Sequence, residues 1–453
     1  MLAEDTFLET KKGLKYASQI TKKDLLLTPD LKWSKIFQAS SLEGSGYNIK
    51  LDRGIILSLS QDHKILTISG EGDFIFKEVK TLNLNDVILT PFDYNVFPKK
   101  DFKIEKFSYI NNYECRLPFP KTLDPELGYL LGHFIGDGSY SAKGYKIVHT
   151  VSVKEKQLTK HLLKKYKEVF NFKPKLKTYK CWEDQGVYRI EKDSKPLARF
   201  YKEYLGVVKN KSFLKIPVSI LESSRGTICE FLSGLFDADG FVMKGNKYPA
   251  ITSSSKYLIN QIQCLFWNLG LRSYQYKALM SLKHKGKIKK FPSYNVCLRG
   301  GQGALKKFKT IIKFNAKHKR DLLEKFANRD LKKKSPNKEL VYHTDLVYKC
   351  YKDLLGFGVK AREVPKTWFW APKYTQQKTG CCPVGTIEEL LNKAKQKQVS
   401  SQNLEKLKSI YNSKYIQQKI VSIEKIKNSK KFIHIETGSN YIGNGVVHEK
   451  TYR

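Results

Sequence analysis

Two short stretches hold the residues best placed to do chemistry. "ELGYLLGHFIGDGS" (126–139) and "EFLSGLFDADGF" (230–241) are apolar runs of helix length that end in acid-glycine, and the terminal acids are Asp137 and Asp239. A helix C-terminus carries partial negative charge, and a second carboxylate nearby makes ionising either one harder still. Such a pair suits a site for divalent cations such as Mg2+ or Mn2+. Held by oxygen ligands beside a phosphate, these ions activate water and stabilise a leaving oxygen. One acid-glycine pair is ordinary turn chemistry after a helix. Two copies in matching surroundings call for a further reason.

The surroundings do match. Asp137 and Asp239 lie 102 residues apart, and similar elements follow each. After Gly138 come "YKIVHTVSV", the helical "KEKQLTKHLLKKYKEVF", then "KPKLKTYK" and "GVYRIEK". After Gly240 come "KYPAITSSS", the helical "KYLINQIQCLFWNLG", then "RSYQYKALM" and "SYNVCLR". Apolar spacing predicts helices over 123–137, 154–170, 194–205, 224–239 and 255–269. Each half reads helix, strand, helix, strand, strand, helix, an internal duplication. Gly128 and Gly132 in one motif, and Gly234 in the other, would let the two helices approach closely and finish side by side.

Charge narrows the class of partner. The first 100 residues hold 14 Lys/Arg against 13 Asp/Glu, whereas the remaining 353 hold 69 against 30. A surplus this large on one part of a folded body points to a polyanion, with nucleic acid the first expectation. Lys173, Lys175, Lys177 and Tyr179 alternate along one strand, and Arg272, Tyr274 and Tyr276 along another. Each set would present basic and aromatic groups to phosphates and base edges. The eight cysteines show no C-x-x-C spacing, so neither a zinc site nor a disulfide framework is indicated. With no apolar run long enough to cross a membrane and no leader pattern, the expectation is a soluble intracellular protein, nuclear or cytoplasmic.

"LLGHFIGDG" (130–138) and "LSGLFDADG" (232–240) resemble the two motifs of LAGLIDADG homing endonucleases. Ile135 and Gly136 stand where that family often has an acid and a small residue. The resemblance implies a monomeric pseudo-dimer of αββαββ type over about 105–330. Two saddle-shaped sheets would grip duplex DNA at a long asymmetric site, and metal-bound Asp137 and Asp239 would cut both strands. It also implies lysines near the scissile phosphates. Lys215 in "LKIP" is assigned that role although Leu214 takes the usual lysine position, with Lys211 further back. In "NAKHKRDLL" (315–323) Lys319 is preferred to Lys317.

The flanks have a different texture. Residues 1–104 and 418–453 alternate short β-like runs with turns. "AEDTFLETKKGLK", "GIILSLSQDHKILT" and "NYIGNGVVH" resemble the Hint fold of self-splicing inteins, giving an α+β protein in which an all-β domain is interrupted by the endonuclease. Ser60, Asp62 and His63 match the polarising motif, and His448 the terminal histidine. Met1 stands in place of the nucleophile, Glu449 in place of the cyclising Asn, and His434 where an Asp is common. A thioether cannot undergo an acyl shift, and a carboxylate does not cyclise as an amide does. Splicing is therefore expected to be lost, as in free-standing endonucleases of intein origin. Residues 331–417, with a linker "LKKKSPNKE" and the aromatic "KTWFWAPKY", read as a basic extension of the DNA footprint. Two rivals stand beside this reading: a splicing element with altered termini, and a repressor or maturase that binds nucleic acid without cutting it.

Overall fold

The computed structural model describes residues 1–84, 86–105, 117–180, 186–243, 245, 248–284, 287–328, 340–363 and 381–451. The architecture is mixed α+β. Strands from both ends of the chain interleave in one large sheet system: Leu2–Ala3 pairs with Lys430–Thr437 on one side and with Ile56–Ser60 on the other. Val87–Pro91 pairs with Tyr415–Lys425, which continues onto Gly46–Leu51. Lys64–Ile68 is buried at four consecutive positions, with Ile65 in the main core and Leu66 and Ile68 in a smaller one, as in a strand covered on both faces.

Two four-stranded antiparallel sheets of identical order lie between these flanks. In the first, Gly138–Tyr140 pairs with Lys146–Ser152, then Gly186–Asp193, then Lys175–Lys180. In the second, Gly240–Val242 pairs with Pro249–Ser253, then Lys287–Leu298, then Ser273–His284. Helices Lys156–Phe170 and Lys256–Asn268 occupy equivalent places in the two halves. The motif helices Pro125–Asp137 and Arg225–Ala238 lie between the halves. Each begins on a side-chain cap: Asp124 accepts from the Leu127 amide and Ser224 from that of Thr227.

The polar stretch 384–412 forms two helices, Val384–Gln396 and Gln402–Asn412. Gln398 takes a left-handed φ of 55°, and Ser401 caps the second helix by accepting from the Leu404 amide. With Thr344–Gly356 they bury a separate core containing Leu346, Leu354, Leu390 and Leu407. The linker 331–339 and the aromatic 366–374 lie outside the described residues. No described helix is long and apolar enough to cross a membrane.

Candidate active site

The motif helices touch backbone to backbone. A Cβ built on Gly132 would lie 1.9 Å from the Phe231 carbonyl oxygen, and one on Gly234 would lie 2.1 Å from that of Tyr129. Only glycine admits that approach. It brings the C-terminal tips together: a Cβ on Gly136 would meet the Ala238 methyl at 2.5 Å and the Asp239 carboxyl carbon at 3.2 Å. Burial raises the pKa of the Asp239 carboxyl to about 6, and the charge of Asp137 pushes it the same way. Asp137 is raised as well, chiefly by burial, with Lys319 and Lys209 opposing.

Each helix end is closed by a lysine. Lys319 Nζ donates to the carbonyls of Phe236, Asp237 and Ala238 at 3.2, 2.6 and 3.0 Å. Lys209 Nζ donates to those of Phe134, Ile135 and Gly136 at 3.1, 2.6 and 3.0 Å. The last carbonyls of a helix have no intrahelical partner and carry its negative pole, so one ammonium satisfies three acceptors and part of the dipole together. Burial pulls the Lys319 pKa down while the aspartates hold it up.

Lys209 escaped the sequence reasoning. Its signal was only a lysine a few residues before the "LKIP" segment in a lysine-rich chain. Lys215, the residue assigned there, packs its Nζ 4.4 Å from the Tyr16 ring and 5.0 Å from the Tyr257 ring. Leu214 lines the hollow beside Asp239, and the next residue, Lys215, lines a different one. Lys317, the lesser candidate in the second half, turns outward to pair with Asp321 at 2.5 Å. Asp237, whose counterpart is Ile135, serves structure: it accepts from the Asn315 and Ala316 amides and, at 2.6 Å, from the Tyr129 hydroxyl. That ties the second motif helix to helix Lys317–Ala327 and to its partner.

The two carboxylates are hard oxygen donors, and among the described residues no group of three or more His, Cys, Asp or Glu side chains could hold a metal. This donor set fits Mg2+ or Mn2+, which commonly take one or two carboxylates and complete their shell with water and phosphate oxygens. The hollow beside Asp239 is rimmed by Ser139, Thr252, Ser253 and Lys209.

In the first sheet, Lys175, Lys177 and Tyr179 oppose Glu191, Arg189 and Val187 on the face away from core Ile190. Lys173 is exposed just before the strand. Glu191 draws Lys146 and Lys177 to 3.2 Å each, and the Arg189 guanidinium lies 4.3 Å from the Tyr179 ring centre. In the second sheet Tyr274 and Tyr276 stack with centroids 5.7 Å apart. Arg272 does not share their surface: its guanidinium packs 4.8 Å from the Phe92 ring centre, and burial lowers its pKa to about 10.

A second constellation lies in the large sheet. The Met1 nitrogen is 2.9 Å from Ser60 Oγ and 2.9 Å from His63 Nδ1. His63 Nε2 lies 2.8 Å from His448 Nδ1, and His448 Nε2 is 3.0 Å from the Gly443 carbonyl. A carbonyl only accepts, so His448 donates through Nε2, accepts from His63 through Nδ1, and leaves His63 Nδ1 to accept from Met1. Burial lowers both histidine pKa values, which keeps this relay neutral. Asp62 turns to solvent and pairs with Lys80 at 2.9 Å; Glu449 pairs with Lys64 at 3.2 Å, and His434 with Glu436 at 3.3 Å.

Comparison with known proteins adds the following. The chain is 25% identical over 355 residues to a glutamine–fructose-6-phosphate aminotransferase of Methanocaldococcus jannaschii, covering 77% of this chain and 29% of that protein. It is 28% identical over 225 residues to the tRNA-splicing ligase RtcB of Pyrococcus furiosus, covering 43% and 22%. The chain thus spans less than a third of the length of these relatives. Among solved structures, a variant of I-DmoI in complex with its target DNA and in the presence of Mn matches at a TM-score of 0.29 and 20% identity, over 44% of this chain and 98% of that one. The gp41-1 intein matches at 0.18 and 21%, over 20% and 66%. Residues 226–325, which hold the second motif helix, its sheet and Lys319, match the family model of a LAGLIDADG-like domain, and the chain carries that domain.

Proposed function

We propose that the protein is a metal-dependent, site-specific double-strand DNA endonuclease, built as a monomer into a splicing fold that no longer splices. The observation that carries this reading is the meeting of Asp137 and Asp239 at glycine-packed helix tips, each tip closed by a lysine, between two sheets of the same strand order. Residues 105–330 act as the nuclease, residues 1–104 and 418–453 as the Hint-like unit, and residues 331–417 as an addition to the DNA footprint.

Asp137 and Asp239 would hold Mg2+ or Mn2+, which when bound supplies an activated water and neutralises charge on the scissile phosphates. The near two-fold arrangement gives one carboxylate to each DNA strand. Lys209 and Lys319 fix the helix tips and set a positive field around the reacting phosphates. The flanking sheet faces, with Lys173, Lys175, Tyr179, Tyr274 and Tyr276, position the duplex. An aminotransferase and a ligase have no chemistry in common. Similarity confined to 29% and 22% of their lengths therefore supports a transferable element rather than a part of either reaction.

Purified protein with Mg2+ should cut the DNA of its own flanking locus at one place in both strands, as read by sequencing the ends. Asp137→Asn and Asp239→Asn should each abolish this while binding persists; cleavage at the wild-type rate by the double variant would overturn the assignment. A precursor with reporter domains fused to both ends should yield no ligated product, because the group facing His63 is Met1 and His448 is followed by Glu449. Ligated product would restore the splicing alternative.

A further inference from the structure

The lysines that close the two motif helices are held in place by different means. In each half, the residue just before the second helix reaches over to the segment that carries a lysine. Before Lys256–Asn268, Ser255 accepts from the Leu258 amide of its own helix and donates at 2.7 Å to the carbonyl of Leu214, on the segment that bears Lys209. Before Lys156–Phe170 stands Glu155, whose side chain makes no cap to its own helix. Its carboxylate crosses to the other half instead: Oε2 accepts from the Lys317 amide at 3.0 Å, and Oε1 from His318 Nδ1 at 2.5 Å.

Lys317 and His318 open the helix Lys317–Ala327, whose third residue is Lys319. The cap position holds Ala316, which has no side-chain acceptor, so the first amides need acceptors from elsewhere. Asp237 takes the Asn315 and Ala316 amides from within the second half, and Glu155 takes the next one from the first half. A carboxylate at a helix N-terminus is favoured by the dipole and by charge-assisted hydrogen bonding. The Glu155 side chain is only 12% exposed, whereas its partner His318 is 64% exposed, so the acid is the fixed member of the pair. Further along the same two helices, Arg320 Nη2 donates to Gln157 Oε1 at 3.1 Å. Unrestrained helix ends fray, and Lys319 lies within that first turn.

We infer that Glu155 is a positioning residue for the cutting of one DNA strand: from the first half, it fixes the helix start that delivers Lys319 to the tip of the second motif helix. The inference rests on the DNA-cutting reading above. Lys209 does not depend on this clamp. Its segment is tied by Ser255, by Gln261 Oε1 accepting from the Ile216 amide at 2.8 Å, and by Lys215 against the Tyr16 and Tyr257 rings. Losing Glu155 therefore unbalances the two cleavages and turns a double-strand cut into a nick.

The test uses the duplex that the wild type cuts, with a different fluorophore on each strand, and follows both cleavages in a single turnover with Mg2+. Glu155→Ala should slow one strand by about tenfold or more, the same strand that Lys319→Met slows, and leave the other within about twofold, so that nicked duplex accumulates. Affinity for the duplex without divalent cations should stay at the wild-type value, which places the loss in the rate rather than in binding. Glu155→Gln keeps the shape and an acceptor for the Lys317 amide but removes the charge; it should slow the same strand by less, and it carries the test if the alanine variant does not fold. Equal slowing of both strands, or wild-type rates in both variants, overturns the inference. Urea unfolding in chelator reads the clamp without any cutting: Glu155→Ala should cost less stability in the Lys319→Met background than in the wild type, and equal costs in the two backgrounds overturn the inference as well. Absence of cleavage by the wild type, with that coupling present, would sink the endonuclease reading instead, so the two failures are distinguishable.

Discussion

Asp239→Asn should make the metal-free protein more stable, and only above about pH 4. The native carboxyl titrates near pH 6 because it is buried beside Asp137, against an ordinary value of 3.8. Between those values the unfolded chain has released its proton and the native chain has not, so the native state binds more protons and its stability falls as pH rises. About two pKa units at 1.36 kcal/mol each give a loss of up to about 3 kcal/mol, complete by roughly pH 7. Asparagine removes the titration. Urea unfolding of wild type and variant, followed from pH 4 to pH 8 in chelator, should give equal stabilities at the acid end and a gap of about 2–3 kcal/mol at neutrality. Millimolar Mg2+ should then raise the wild type at pH 7 by more than the variant, which keeps only Asp137, since a ligand stabilises only the state that binds it. A gap that does not change with pH, or one of opposite sign, would refute the electrostatic account of the helix tips.

Three further outcomes follow from other buried groups. Glu9 is buried against Tyr94, and burial raises its pKa to about 7, so stability from this site is full below pH 4.5 and lost by pH 7. Glu9→Gln should therefore gain roughly 3 kcal/mol at pH 8 and little at pH 4, by the same urea titration. Gly132→Val places branched carbon where even a Cβ would be 1.9 Å from a carbonyl oxygen, so the helices must separate; a loss of about 4 kcal/mol or more, or insoluble protein, is expected on expression and thermal melting. Lys319→Met and Lys209→Met each orphan three carbonyls at a helix tip, for a loss of about 2–4 kcal/mol at pH 7, and the double variant should depart from the sum because both ammoniums act on the Asp137 and Asp239 carboxylates.

The helices and the duplication were legible because apolar periodicity and turn residues are local signals. The spans expected at 154–170 and 255–269 differ from Lys156–Phe170 and Lys256–Asn268 by two residues or fewer at each end. The acids were legible because acid-glycine at the end of an apolar helix is rare enough to count twice. The lysines were not. Among 83 basic residues, which ammonium folds back onto a helix tip depends on the path of the segment between the halves, and one residue's rotation separates Leu214 in the hollow from Lys215 on the Tyr16 ring. Glu191 was missed for a similar reason. An acid inside a basic face is invisible until the register sets it against Lys177.

The large sheet and the duplicated halves are locked together, which on the proposed reading accounts for a Hint-like sheet that persists with Met1 and Glu449 where splicing would need other groups. The turn at Arg53 inserts into the second half, where its carbonyl accepts from the Gln275 amide at 2.8 Å and from Gln263 Nε2 at 3.1 Å. A Cβ on Gly54 would lie 2.0 Å from the Gln275 carbonyl oxygen, and one on Gly445 would lie 2.4 Å from the Trp267 ring. Asn268 pairs through both ends of its amide with the backbone of Val96, and Lys307 reaches Asp93 at 2.9 Å. Removing the sheet would bare a fully buried tryptophan and leave buried amides without partners, a cost of several kcal/mol set against a domain stability of about 5–15. A change of side chain at residue 1 costs none of this, since the Met1 nitrogen is held by Ser60 and His63. On the proposed reading, splicing residues can be discarded one at a time while the fold that presented them stays fixed as a wall against the duplicated halves.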